Sequence, residues 1–328
     1  MGIKSRLSRV YFPEAGVSDH AKRLGGDRGF ILMYHEVLPA ESSTVPAWTV
    51  VRAEEFEQQM QLLKRHFDVV TLNEARERLT GTEKAERPFV VITFDDGYSG
   101  NLHTVLPIMQ AYNLPFTVYV ATKAIKDGSL YWYDQLINLM TLPTDTAIPL
   151  RVQNRERVVR IKSRGPDNQR WRHMQDLLAS LKTLGEKERD EAVEKILSGH
   201  RELTSELRML TPGELRELAA DPLVSIECHT HAHELLDELS DERILSSVST
   251  ANELIEGWTG RAPSHFAYPN GNTDQRVASL ISAAGFETAV TTVHRHCAKG
   301  DDLLALPRIG VGRFDNHNVF KAKLAGFL

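Results

Sequence analysis

A short apolar run that ends in two acidic residues constrains the fold more than any other feature of the sequence. Phe89–Ile92 is apolar and rich in β-branched residues, which is typical of a strand buried on both faces of a parallel sheet. Asp95, Asp96 and Gly97 follow at its carboxyl end, where α/β folds gather ligands and catalytic groups. Because side chains alternate along a strand, we expect the two carboxylates to address different atoms. An ordinary Asp-Gly turn is the alternative interpretation.

A second polar cluster follows another strand-like run, Leu223–Ile226. Its three imidazoles, His229, His231 and His233, lie so close along the chain that they are typical of metal ligands. If a helix follows the strand, His229 and His233 share one face and His231 points elsewhere. A polar loop with hydrogen-bonded histidines is the alternative. The combination with an acidic strand end favours a metal site.

A third segment, Phe266–Gly271, runs from apolar residues into a turn. Tyr268, Pro269 and Asn270 form its centre, and Gly271 ends it. A turn of this kind can aim a backbone N–H group at a developing oxyanion. Turns of this composition are common, so the segment predicts little without the other two.

In this order and spacing, the three segments resemble the motifs of the polysaccharide deacetylase family, carbohydrate esterase family 4. Thr93–Tyr98 matches the first motif of that family, His229–His233 its metal motif and Phe266–Gly271 its third motif. The resemblance extends from about Phe30 to Val311. It implies an α/β fold, a distorted (β/α) barrel of about seven strands. It also implies a metal-dependent hydrolase that removes an N-acetyl group from an N-acetylhexosamine-containing glycan or glycan precursor.

The resemblance also implies a cofactor and its ligands. Asp96, His229 and His233 would hold one divalent metal. Two imidazoles and one carboxylate suit Zn²⁺ best, although Co²⁺, Ni²⁺ and Fe²⁺ accept the same set.

The catalytic roles follow from the same resemblance. Asp95 would be the general base that takes a proton from the attacking water. A backbone N–H group in the turn of Tyr268, Pro269 and Asn270 would bind the oxyanion of the tetrahedral intermediate. An acid must then protonate the leaving amine, because an amine anion cannot leave at neutral pH.

The acid is the first departure from the common family pattern. Most members carry it as a histidine on a late strand, but Leu303–Ile309 contains no histidine. His35 instead ends an early apolar run, Gly29–Tyr34, as in the circularly permuted branch that includes the poly-N-acetylglucosamine deacetylases. First and last strands are neighbours in a barrel, so either can supply the group. We therefore expect His35 to be the general acid, with a core or capping histidine as the alternative.

Two further residues are candidates for the site. Many family members have an arginine at the position of Ala267, and Arg308 could reach the site from another strand to orient Asp95. A surface arginine is the alternative. Trp132 resembles part of a Trp-Tyr-Asp segment that would form a wall of the sugar site. A buried aromatic at a helix start is the alternative for Trp132.

The length of 328 residues suits one barrel domain with an insertion. We expect an N-terminal extension over residues 1–28, a barrel over 29–328 and a helical insertion over about 127–210. The net charge of -5 argues against nucleic-acid binding, and the expected partner is an N-acetylated sugar or glycan precursor. The only two cysteines, Cys228 and Cys297, do not indicate a disulfide framework. The sequence leaves the oligomeric state open.

The N-terminal region bears on the substrate. Residues 1–28 are charged throughout, without the apolar core of a secretory signal, and no stretch approaches the roughly 20 apolar residues of a membrane span. We therefore expect a cytoplasmic protein that acts on a sugar precursor. Three other hypotheses stay open: another metal-assisted C–N hydrolase, such as a deformylase or cyclic-amide hydrolase; a non-catalytic sugar-binding barrel; and a metal-free structural barrel, which the clustered Asp and His residues disfavour. Asp95 argues against the second, because pure binding needs no base beside the metal.

Overall fold

The structure of this chain is a computed structural model that describes residues 11–39, 47–82, 85–152, 155–165, 167–200 and 207–328. Its main sheet curls around a central axis, with the strand order β11-β10-β9-β6-β5-β1-β12. The neighbours along this path are parallel, except for β1 and β12. The predicted fold class, a distorted (β/α) barrel of about seven strands, is confirmed.

The strands are β1 Arg28–Tyr34, β2 Glu36–Leu38, β3 Val50–Arg52, β4 Asp68–Val69, β5 Phe89–Phe94, β6 Phe116–Val120, β7 Thr146–Val152, β8 Arg155–Ile161, β9 Val224–Cys228, β10 His265–Ala267, β11 Thr288–Val290, β12 Cys297–Ala298 and β13 Ile309–Gly310. The α-helices are α1 Glu14–Leu24, α2 Ala53–His66, α3 Leu72–Thr80, α4 Leu106–Tyr112, α5 Thr122–Asp127, α6 Trp132–Ile137, α7 Asp167–Lys182, α8 Glu186–Ser198, α9 Pro212–Ala219, α10 Asp241–Thr259, α11 Gln275–Ala283 and α12 His317–Leu324.

The segment 306–310 spans the gap between the two ends of the curled sheet. Leu306 pairs with Val290 at the end of β11, and Ile309 pairs with Leu32 of β1. Arg308 lies between these two pairings. The barrel closure therefore carries Arg308 to the inside of the barrel, below the carboxyl ends of the strands.

Alternation along β5 separates an inner from an outer face. Phe89 and Val91 pack in the cluster that also holds Ile31 and Tyr119, whereas Val90, Ile92 and Phe94 pack in the larger cluster with the surrounding helices. The inner face continues through Thr93 to Asp95. Asp95 thus lies at the mouth of the barrel because of its register alone.

Local sequence patterns place one helix correctly and two other element boundaries less well. Thr211, Pro212 and Glu214 predict a helix start, and Thr211 caps α9 in a reciprocal capping box with Glu214. The apolar run Val69–Leu72 predicts a strand, but its end is wrong, because Thr71 is the N-cap of α3 and makes a second capping box with Glu74. The run Leu102–Ala111 predicts a helix, and this helix begins as a π-helix, Asn101–Val105, just before Pro107.

The segment between α6 and α9 builds a second apolar core. Met174, Leu177 and Leu181 of α7 pack there. The prediction of a purely helical insertion is wrong for β7 and β8, which form an antiparallel hairpin. Ile148 and Ile161 are buried on one face of this hairpin, in an alternation that the surrounding charges concealed. The proposed domain boundaries stay a prediction, and residues 1–10, 153–154, 166 and 201–206 lie outside the described part of the chain.

Candidate active site

The site begins where β1 and β5 end side by side. The two strands pair in register from Gly29 with Phe89 to Tyr34 with Phe94. The next residues are His35 and Asp95, and the Asp95 N–H donates to the Tyr34 carbonyl at 2.9 Å. Parallel pairing therefore puts the predicted acid and the predicted base at the same level of the barrel.

Asp95 is held by Arg308. The guanidinium Nη1 and Nη2 donate to the two Asp95 carboxylate oxygens, each at 2.7 Å. Arg308 also donates through Nε to the Thr291 carbonyl at 2.9 Å and lies 5.7 Å from the Tyr119 ring centroid. Its side chain is fully buried, so it is not a surface arginine. Burial is the largest single influence and would raise the pKa of Asp95, but the charge and hydrogen bonds of Arg308, together with smaller contributions from His229 and His35, outweigh it and lower that pKa to about 2.

Asp96 points to a different place. Its φ of 77° turns the chain after β5, and Asp tolerates this left-handed conformation better than most residues. Asp96 Oδ1 lies 3.6 Å from His229 Nε2 and 3.4 Å from His233 Nε2. The three potential ligand atoms lie within 4.8 Å of one another. Asp95 and Asp96 thus address different partners, as strand alternation predicts.

His229 and His233 meet through a loop. Residues 229–235 form no helix, so the conditional expectation of a shared helical face is wrong. Thr230 and His233 have φ values of 68° and 56°, which interrupt any helical path and bring the two rings to a centroid distance of 4.9 Å. His231 points away, with Nδ1 2.8 Å from the Thr122 hydroxyl.

Backbone strain is concentrated in these loops. Among the described residues, five other than glycine have a positive φ, and four of them follow the strands of the site: Asp96, Thr230, His233 and Asn270. The fifth, Asn113, caps a helix. Strained conformations of this kind persist where the surrounding structure fixes them, and they cluster at functional sites.

The trio of Asp96, His229 and His233 fits a divalent cation. Asp96 Oδ1 is buried and has no hydrogen-bond partner within the described ranges. His229 Nδ1 lies 2.7 Å from the Ala267 carbonyl, which holds the proton on that nitrogen and leaves Nε2 free as a ligand. Burial lowers the pKa of His233 to about 4 and also lowers that of His229, so both imidazoles are neutral. A neutral imidazole is the form that binds metals.

His35 covers one side of the site. It is 9% exposed, and its Nδ1 has no hydrogen-bond partner within the part of the chain that the structure describes. Burial lowers its pKa, while the charges of Asp96 and Asp95 oppose this shift. Asn101 Nδ2 donates to the His35 carbonyl at 3.0 Å, and the ring makes an edge contact with Trp48 at a centroid distance of 5.4 Å.

The turn after β10 leaves one backbone donor for an oxyanion. Tyr268 N–H donates to the Val290 carbonyl, and its hydroxyl donates to the Leu304 carbonyl, so this residue is turned into the core. Pro269 has no N–H. Asn270, with φ 57°, is the remaining member of the predicted trio with an N–H to offer.

Two tyrosines form a wall next to His233. Tyr131 and Tyr133 stack with an interplanar angle of 4°, and their centroids lie 5.2 and 6.2 Å from that of His233. Trp132, the predicted wall residue, lies on the other side, under the Arg189 guanidinium and against the core of the insertion.

Three further residues whose side chains can bind a metal lie apart from this cluster. Cys228 is buried in the main core, and burial raises its pKa to about 12, so it is an inert neighbour of His229. His294 is exposed, with Nε2 3.2 Å from the Leu328 carbonyl. His296 makes an edge contact with Phe30 near the opposite end of β1.

The fold and the site together define a (β/α) barrel with a carboxylate and two imidazoles at its mouth and an arginine-bound carboxylate beside them. The sequence pattern of the polysaccharide deacetylase family matches residues 82–289. The chain therefore belongs to the polysaccharide deacetylase family. It is also similar to YxkH of Bacillus subtilis (strain 168), with 21% identity over 282 residues, which cover 86% of this chain and 70% of that protein.

Solved structures share the fold at low identity. IcaB from Ammonifex degensii matches with a TM-score of 0.59 and 16% identity, over 92% of this chain and 97% of that one. The Streptococcus pyogenes deacetylase PplD, solved in complex with acetate, matches with a TM-score of 0.57 and 17% identity, over 87% and 92% of the two chains. Within the described residues, no helix is long and apolar enough to cross a membrane.

Proposed function

We propose that this protein is a metal-dependent amide hydrolase that removes an acetyl group from an N-acetylhexosamine in a glycan or glycan precursor. One observation carries the proposal: two adjacent carboxylates diverge, one to a buried arginine and one to two neutral imidazoles. Pure binding would need only the second carboxylate. A carboxylate kept ionised beside a cation site is what a general base for water attack requires.

Asp96, His229 and His233 would hold the metal, with Zn²⁺ as the first choice. When bound, a divalent metal polarises the substrate carbonyl and makes a nearby water more acidic. The Ala267 carbonyl supports this role, since it fixes the His229 ring through Nδ1.

Asp95 accepts the proton of the attacking water in this proposal. The two charge-assisted hydrogen bonds from Arg308 hold the carboxylate in one orientation. Arg308 thus acts through Asp95 as a positioning residue, in place of the arginine that many family members have at the position of Ala267. The Asn270 N–H supplies a donor for the oxyanion.

His35 protonates the leaving amine. Its unpartnered Nδ1 and its place beside Asp95 support this role. Burial lowers the pKa of His35, but the carboxylates of Asp96 and Asp95 oppose this shift and favour the protonated imidazole that an acid for the leaving amine must be.

The substrate is an N-acetylated sugar, and Tyr131 and Tyr133 replace Trp132 as the wall on which it rests. The barrel over residues 29–328 carries the activity, and the insertion over about 127–210 supplies this wall. IcaB and PplD support the fold rather than the identity of the sugar. Of the two, only PplD is described as a deacetylase.

Acetate release from a panel of N-acetylhexosamine compounds tests the proposal. The panel contains free oligosaccharides, nucleotide sugars and lipid-linked sugars, each incubated with metal-loaded protein and with the Asp95→Asn variant. We expect release from one class and none from the variant. Formate release from N-formylated sugars without any acetate release would instead identify a deformylase.

A further inference from the structure

Trp48 is an exposed aromatic residue in a rigid position beside the candidate acid. Its indole is 38% exposed, although its edge lies against the buried His35 ring at a centroid distance of 5.4 Å. The residue precedes β3, which pairs with β2 directly after His35. Single exposed apolar residues are common on protein surfaces, but this one is continuous with the surface of the site, where exposed apolar area can bind a ligand.

Three contacts fix Trp48. The Arg313 N–H donates to the Trp48 carbonyl at 2.8 Å, and the Glu36 N–H donates to the neighbouring Thr49 carbonyl at 3.3 Å. Gly312 approaches the indole so closely that an added Cβ would lie 3.2 Å from Cε3 and 2.3 Å from the Trp48 carbonyl oxygen. The absence of a side chain at Gly312 therefore makes room for the indole.

We propose that Trp48 is a stacking platform for a sugar ring adjacent to the N-acetylated one, so that the enzyme binds at least a disaccharide. The inference rests on the proposed function and adds the length of glycan that the site binds. A pyranose has an apolar C–H face, which suits a flat, fixed and exposed aromatic ring. Because a rigid side chain loses little entropy on binding, its contact area contributes to affinity.

The site would then have aromatic surfaces on two sides. Trp48 flanks His35, whereas Tyr131 and Tyr133 flank His233, which follows a different strand. A glycan of two or more residues can present one acetamide to the cation trio while a neighbouring ring rests on Trp48.

The test compares chain lengths. N-acetylglucosamine and its oligomers up to the tetramer, in β-1,4 and β-1,6 linkage, are assayed for acetate release with wild type, Trp48→Ala and Trp48→Tyr. We expect Trp48→Ala to raise KM for the tetramer about tenfold, equivalent to about 1.4 kcal/mol. The loss for the monomer should be much smaller than the loss for the tetramer, and Trp48→Tyr should restore most of the tetramer affinity. Phe327→Ala removes an exposed aromatic that packs on Phe12, so it serves as the matched control.

Two outcomes would overturn the inference. Equal losses for monomer and tetramer would mean that Trp48 only supports His35, and no loss for either would mean that it contacts no substrate.

Calorimetric titration of the tetramer into Asp95→Asn, with and without Trp48→Ala, measures the contribution of Trp48 to tetramer affinity in the absence of turnover. If wild type releases no acetate from any compound, the proposed function fails, and this titration still decides the role of Trp48. Tetramer affinity about tenfold weaker with Trp48→Ala supports the platform, whereas equal affinity, or no tetramer binding to either variant, refutes it.

Discussion

Replacing Arg308 by methionine should destabilise the protein far more than the loss of an ordinary ion pair. Arg308 has a fully buried side chain, makes two 2.7 Å bonds to Asp95 and a third bond to the Thr291 carbonyl. Methionine keeps much of the volume but leaves the Asp95 carboxylate buried without its counter-charge. Breaking a buried pair in this way costs about 3–5 kcal/mol.

The control is Arg276→Met. Arg276 pairs with Asp241 at 2.6 Å, but both side chains are substantially exposed. Removing an exposed pair costs about 0.2–1 kcal/mol. Both variants remove a guanidinium that is paired with an aspartate, and they differ in burial and in the number of hydrogen bonds lost.

The free energy of unfolding from urea titration measures both effects. The double variant Asp95→Asn with Arg308→Met should recover most of the stability, because no charge is then left buried alone. An Arg308→Met variant that loses no more stability than Arg276→Met would refute the account of this pair. In activity, Arg308→Lys should reduce turnover roughly 10²-fold, since a single ammonium cannot hold both carboxylate oxygens.

Three further predictions concern the metal, the base and pH. His229→Ala should lose the bound metal in elemental analysis, and an unchanged content would remove His229 from the ligand set. Asp95→Asn should keep the metal and reduce turnover by roughly 10²–10⁴-fold, and retained activity would exclude Asp95 as the base. Burial raises the pKa of Glu36 to about 8, although the Gly100 and Val37 N–H groups oppose this. The folded protein therefore keeps a proton that the unfolded chain releases above about pH 4.5, so this contribution to stability is lost as pH rises from about 4.5 to about 8. Glu36→Gln should flatten the stability profile between those pH values in urea titrations, and an unaltered slope would contradict the assignment.

The sequence predicted the parts of the site that depend on local pattern. Asp95 and Asp96 end a buried strand, and alternation with a turn is enough to make them diverge. The trio of Asp96, His229 and His233 was implied by the resemblance to the polysaccharide deacetylase family, and the structure brings its three potential ligand atoms within 4.8 Å of one another. The capping box at Thr211 was equally predictable from the sequence, because all of its atoms lie within four residues.

Residues whose position depends on long-range packing were not predictable to the same degree. Arg308 reaches Asp95 only because segment 306–310 closes the barrel between β11 and β1, and sequence left a surface arginine equally open. The loop between His229 and His233 needs positive φ values at Thr230 and His233, and neither threonine nor histidine predicts this conformation. No sequence pattern indicated a role for Trp48, since its fixed position depends on the close approach of Gly312.

The central claim is that one divalent metal and Asp95 together catalyse deacetylation. The most direct measurement is a titration of chelator-treated protein with Zn²⁺, in which acetate release and bound metal are recorded at each point. The account predicts that activity rises to a plateau at one equivalent, and that Asp95→Asn binds one equivalent without releasing acetate. Full activity in the metal-free protein, or equal activity in the Asp95→Asn variant, would contradict it.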